Sequence, residues 1–215
     1  PMSIDNVTLI CNGEIYNYKK LYQELNIAPK TNSDCEVIIH LYLRYGIEQT
    51  LRMLDGVFAF VLYDSNDLEL PVYIARDPYG VRSLYEVSFD IPYNNIQKVS
   101  FYGFASELKC LSELYNSNHS NINNSEYLIN KKVEQFTPGT FSKFYLTMDK
   151  AIGDYEYKIK NKKYFMLPFS FELDTKVYTE QIILNTICEQ LSNAVKKRVS
   201  TTEREIACLL SGGLD

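Results

Sequence analysis

Three short stretches of this chain hold residue types that can do chemistry together. The first is Asn12-Gly13-Glu14-Ile15-Tyr16-Asn17, directly after the apolar run Val7 to Cys11. A side-chain amide next to a flexible glycine backbone can aim two N–H donors at one point, as an oxyanion requires during acyl transfer. On local chemistry alone, an ordinary Asn-Gly turn is the better account. The second is Asp34, in the first turn of a helix that begins at Ser33. A carboxylate there can bind a ligand ammonium, although complementing the helix dipole explains it more simply. The third is Ser211-Gly212-Gly213-Leu214-Asp215, after another apolar run. Glycines allow backbone N–H groups to approach a phosphate. No Lys follows, so this is not a triphosphate P-loop; pyrophosphate suits it better, with structural punctuation an equal alternative.

The elements that must position these residues can be read from hydrophobic periodicity. Val7 to Cys11 reads as a buried strand, with Asn12-Gly13-Glu14 as the turn after it, and Tyr18 to Leu25 as a short helix. Ser33 and Glu36 form a capping box for a helix with Val37, Ile38, Leu41, Tyr42 and Tyr45 on its apolar face, ended by Gly46. Gln49 to Leu54 reads as a further helical turn. Val57 to Tyr63, Leu70 to Arg76, Leu84 to Phe89, Ser100 to Ala105 and Phe141 to Thr147 read as strands. Asp77-Pro78-Tyr79-Gly80 is a tight turn and Ser106 to Leu114 a short helix. Asn116 to Asn130 is an Asn- and Ser-rich loop, and residues 148–163 are polar and loop-like. Tyr178 to Val199 is a long helix with Ile183, Ile187, Leu191 and Ala194/Val195 on one face, and Glu205 to Leu210 is a buried strand. Residues 1–165 are therefore a strand-dominated α+β domain, 166–177 a linker, and 178–215 the start of an α/β domain.

Composition narrows the function class. With 46% hydrophobic and 13% aromatic residues the chain can build a core, and its net charge of −5 argues against a nucleic-acid partner. No apolar run is long enough for a membrane span, and no signal peptide opens the chain. The five cysteines, Cys11, Cys35, Cys110, Cys188 and Cys208, are scattered and lack a CxxC, so neither a zinc site nor a disulfide framework is expected, and a cytoplasmic location is.

Taken together, the motifs resemble one family. Asn12 to Asn17 closely resembles the glutamine-binding motif of class II glutamine amidotransferases, in the wording of the asparagine synthetase branch. Met53 to Phe60, Arg76 to Arg82 and Ala105 to Lys109 look like further signatures of it, and Ser211 to Asp215 is similar to its pyrophosphate loop. The matches follow family order along nearly the whole chain and look nearest to the eukaryotic-type enzyme.

The resemblance implies an Ntn-hydrolase fold, two antiparallel sheets between helices, followed by the start of an ATP-pyrophosphatase domain. It implies glutamine hydrolysis by an N-terminal cysteine, with the ammonia passed on to aspartate activated by ATP and Mg²⁺. Asn12 and Gly13 would form the oxyanion hole, with Glu14 and Asp34 completing the glutamine site. Leu209 would contact ATP, Ser211, Gly212, Gly213 and Asp215 would cradle pyrophosphate, and Asp215 would lie near Mg²⁺. The partners implied are the small molecules glutamine, aspartate and ATP, and the resemblance allows a homodimer of the full-length protein. Pro1 matches well inside the family's first domain, so the reading is of a fragment lacking both ends. Such a fragment would have no nucleophile and no activity, unpaired sheet edges and poor solubility. A β-lactam synthetase-like relative and a truncated, non-catalytic binding module are the alternatives.

Overall fold

The computed structural model describes residues 1–92, 98–116, 129–149, 154–166, 178–202 and 205–213. The chain divides into two compact units, Pro1–Leu167 and Pro168–Asp215. The Asn-rich stretch, the linker and Asp215 fall largely or wholly outside the described residues.

In the first unit, strands β1 (Met2–Ile4), β2 (Val7–Ile15), β3 (Gly56–Asp64) and β4 (Val72–Arg76) join β8 (Thr140–Asp149) and β9 (Asp154–Lys163) in a six-stranded sheet of order β1-β2-β3-β4-β8-β9. A three-stranded sheet has the order β6-β5-β7, from β5 (Tyr85–Pro92), β6 (Lys98–Ala105) and β7 (Ile129–Gln135). All the pairings are antiparallel. Helices α1 (Tyr18–Leu25), α2 (Val37–Met53) and α3 (Lys109–Asn116) complete the unit.

Side-chain alternation along the strands sets the layers. Phe58, Phe60, Leu62, Tyr73, Ala75 and Phe141 pack into a core with α1 and α2. Their neighbours Ala59, Val61, Val72, Ile74 and Phe144 face the other way, onto Leu84, Phe104 and Phe136. Phe104 meets both Phe136 and Phe144 edge-on. On the far side of the small sheet, Val87 and Phe89 pack against Leu111 of α3. Each sheet thus carries apolar side chains on both faces, giving the order helices, sheet, sheet, helix.

Several expectations are corrected here. Asn12, Gly13 and Glu14 are not in a turn: β2 runs on to Ile15, and β3 pairs with it rung by rung as far as Gly56. Residues 148–163 are not a loop: Thr140 to Asp149 and Asp154 to Lys163 form a hairpin. β9 is an edge strand with Lys158, Lys160, Lys162 and Lys163, and lysine on an edge strand discourages pairing with another chain. The same charge makes it read as loop. β7, with Lys131 and Lys132, is an edge of the small sheet, and its charge hides it from hydrophobic patterning in the same way.

The capping box forms only in part. Ser33 caps a 3-10 turn, Asp34–Glu36, by accepting from Cys35 N at 3.3 Å. Glu36 does not close the box. It accepts instead from Lys30 N at 2.7 Å and Thr31 N at 2.5 Å, because the chain folds back over it. Gly46 does interrupt α2, with φ 74° and ψ 172°, and Tyr45 beside it is exposed instead of on the apolar face.

In the second unit, α4 spans Glu180–Thr201, with Thr179 accepting from Ile182 N at 3.4 Å. Ile183, Ile187, Leu191 and Val195 are all exposed. Glu205 to Leu210, expected as a buried strand, has no regular structure, and Leu209 and Leu210 are exposed. A strand needs a partner for its backbone N–H and C=O groups, and the described residues of this unit contain no other strand. Among the described residues no helix is long and apolar enough to cross a membrane.

Candidate active site

The end of β2 gathers most of the first-unit residues singled out from the sequence. Phe58 turns its backbone toward Asp77: its carbonyl accepts from Asp77 N at 2.7 Å, and its N–H donates to Asp77 Oδ2 at 3.3 Å. Gly13, opposite Phe58, therefore sits in a narrow, non-hydrogen-bonded pair. A Cβ on Gly13 would lie 2.6 Å from the Val57 carbonyl and 2.8 Å from Phe58 Cβ, so only glycine fits. Gly13→Ala is expected to cost about 1–3 kcal/mol, read as a lowered urea midpoint. An unchanged midpoint would show that β3 yields freely.

This pairing turns the Gly13 N–H away from β3, along the edge of β2 left open where β1 stops pairing at Leu9. On the same edge, Ile15 N donates to Asp34 Oδ2 at 2.6 Å, and the Gly13 carbonyl accepts from the Cys35 thiol at 3.6 Å. The Asn12 amide donates to Ser106 Oγ at 3.2 Å, which leaves its second N–H free to serve a ligand. Glu14 Oε1 pairs with Arg82 Nη2 at 2.8 Å, and both side chains keep contact with solvent. Asn17 braces the next loop: its amide donates to the Met53 carbonyl at 2.8 Å, and its Oδ1 accepts from Asp55 N at 3.1 Å.

Ser106 and Arg82 were not chosen as site residues from the sequence. Their partners lie 94 and 68 positions away, and no local pattern signals such contacts. Arg82 is held by the segment around Asp77. Asp77 is 1% exposed, and its carboxylate accepts from the N–H groups of Phe58, Tyr79, Val81 and Arg82. The Arg76 guanidinium donates to the carbonyls of Arg82 at 2.8 Å, Phe136 at 2.6 Å and Gly80 at 2.8 Å. Burial pulls this guanidinium below its ordinary range, and Asp77 opposes that shift. Gly80, at φ 66°, passes so close that a Cβ would sit 2.9 Å from the Arg76 guanidinium carbon.

The carboxylate of Glu36 underlies the turn that carries Asp34. It is fully buried, and His40 Nε2 lies 3.1 Å from it. Burial alone would raise its pKa, but the Lys30 and Thr31 hydrogen bonds and His40 outweigh it and bring the carboxyl down to about 2.

Leu209, Ser211, Gly212 and Gly213 lie in the second unit. Gly212 has φ 75°, and Gly213 N donates to Ser211 Oγ at 3.3 Å. Among the described residues no cluster of His, Cys, Asp and Glu could hold a metal ion.

Residues 1–158 match a family described as a glutamine amidotransferase domain. Glutamine-hydrolyzing asparagine synthetase of Gallus gallus is 38% identical over 212 residues, covering 96% of this chain and 34% of that protein. The proteins of the same name from Homo sapiens and Rattus norvegicus are each 36% identical over 219 residues, with the same coverage. The chain thus spans about a third of the length of these curated relatives.

Proposed function

The chain belongs to the glutamine amidotransferase family, and on that premise we propose that the end of β2 is a glutamine site that releases ammonia for asparagine synthesis. One observation carries this reading. Asp34 is fastened to Ile15 N, one residue beyond Glu14, beside an open-edge Gly13 N–H and an Asn12 amide with a free donor. A carboxylate suits the α-ammonium of an amino acid. Two N–H donors suit the oxygen of its side-chain amide, which gains negative charge when the carbonyl is attacked. Ser106 holds the Asn12 amide in place, and the Arg82 partner fixes Glu14.

The four layers support the Ntn-hydrolase reading of residues 1–165; in the same reading 166–177 is a linker and 178–215 the start of an ATP-pyrophosphatase domain. The family nucleophile is an N-terminal cysteine. The cysteines here are mid-strand (Cys11), buried in the core (Cys35) or exposed (Cys110, Cys188, Cys208). The synthetase half of the reaction calls on ATP, Mg²⁺ and aspartate. Ser211, Gly212 and Gly213 suit a pyrophosphate by residue type, the glycines letting backbone N–H groups approach a phosphate. The described residues offer no Mg²⁺ cluster, and Asp215 lies outside them.

Asp34→Asn tests the reading, because asparagine keeps an oxygen for Ile15 N while losing the charge. Glutamine affinity by isothermal titration is expected to fall roughly 10–100-fold, as for loss of a charge-assisted hydrogen bond, with little change in the melting temperature. Glutaramic acid, which lacks the α-ammonium, should bind the variant and the parent equally. Unchanged glutamine affinity in the variant would sink the assignment.

A further inference from the structure

The five cysteines differ in their surroundings. Cys110, Cys188 and Cys208 are exposed. Cys11 and Cys35, far apart in sequence, meet. Cys11 is half-buried on β2, one residue before Asn12, and packs against the core that contains Cys35. Cys35 is the middle residue of the turn Asp34–Glu36 and is 5% exposed. Its thiol donates to the Gly13 carbonyl at 3.6 Å, and Cys11, two residues earlier on the same core-facing side of β2, is the thiol it interacts with. Strand and turn are already fastened together by the Ile15–Asp34 hydrogen bond, so the two sulfurs are held in place by the fold around them.

We propose that Cys11 and Cys35 are a reversible redox modification site that closes to a disulfide on reaction with a low-molecular-weight disulfide such as oxidised glutathione. Exposure sets the order of events. The oxidant reaches Cys11, whose thiolate attacks one glutathione sulfur and expels the other as a thiol, leaving a mixed disulfide on Cys11. Cys35 then gives up its proton and attacks the Cys11 sulfur, expelling the second glutathione. Two protein thiols lose two electrons and two protons, and the oxidant's S–S bond becomes two thiols. The Gly13 carbonyl loses its S–H donor, and the turn bearing Asp34 is tied covalently to β2. This bond alters glutamine affinity, a consequence that rests on the glutamine reading above; the bond itself does not.

Equilibration of the protein in glutathione redox buffers, followed by alkylation and non-reducing peptide mapping, tests this. The expected product is one cross-linked pair, Cys11–Cys35, retaining no glutathione and reopened by dithiothreitol. Cys35→Ala is expected to trap glutathione on Cys11, because the resolving thiol is gone. The proposal fails if the parent protein keeps glutathione on Cys11, if either residue links elsewhere, or if both stay reduced while Cys110 is glutathionylated. Should Cys35→Ala not fold, mapping of the parent decides alone. Titration with glutamine then compares the reduced and oxidised forms, with at least a threefold difference in affinity expected. Equal affinities would overturn the coupling. Absence of glutamine binding in both forms would overturn the glutamine reading and leave the bond standing.

Discussion

Arg76→Met is expected to destabilise the first unit by about 3–5 kcal/mol, the range for removing one partner from a buried charged arrangement. The side chain is 1% exposed, and its three donors satisfy carbonyls from Gly80, Arg82 and Phe136. Methionine fills much of the volume but leaves these carbonyls without donors, each costing about 1–3 kcal/mol where buried. It also leaves Asp77, equally buried, without its neighbouring positive charge. The damage reaches the candidate site, because the Asp77 carboxylate holds the N–H groups of Val81 and Arg82, and Arg82 is the partner of Glu14. Urea unfolding of Arg76→Met beside Arg82→Met separates the two roles. The Arg82–Glu14 pair faces solvent, so its loss should cost no more than about 1 kcal/mol. An Arg76 variant within that same margin would show that the guanidinium is not what holds the segment.

The second large effect is a dependence on acid. Glu36 is held at about 2 against an ordinary value of 4.5. Above 4.5 both the folded and unfolded chains carry the charge, and its native contacts contribute in full. As pH falls from 4.5 toward 2, the unfolded chain takes up a proton that the folded protein refuses, so stability drops. Below about 2 the contribution is gone. At about 1.4 kcal/mol per pH unit this is on the order of 3 kcal/mol. Glu36→Gln should lose that amount at neutral pH and converge with the parent at the acid end. Denaturant midpoints of both proteins, measured from pH 7 to 2, would expose a parallel offset instead, and a parallel offset would mean that Glu36 packs without titrating.

What the residues determined locally is clear from particular elements. α1 and the first part of α2 were legible because apolar residues recur at helical spacing, and Gly46 interrupts α2. β3 and β4 were legible as β-branched and aromatic runs around Asp64-Ser65-Asn66-Asp67. The tight turn at Asp77 was legible from its proline and glycine, and Asn12 to Asn17 and Asp34 could be marked from their chemistry and their resemblance to a family. Tertiary structure decided the rest. Whether Asn12-Gly13-Glu14 is turn or strand depends on whether β3 reaches that far, a long-range pairing that local propensity does not contain. β7 and β9 needed neighbouring strands to complete their hydrogen bonds, and their lysines masked them. Glu205 to Leu210 carries the residues of a strand, yet without a partner it forms none. Ser106 beside Asn12, Arg82 beside Glu14, and Cys35 beside both Cys11 and Gly13 are contacts between distant segments. Packing of the turns and strands brings them together, because burial rewards the whole arrangement and not any one stretch of chain.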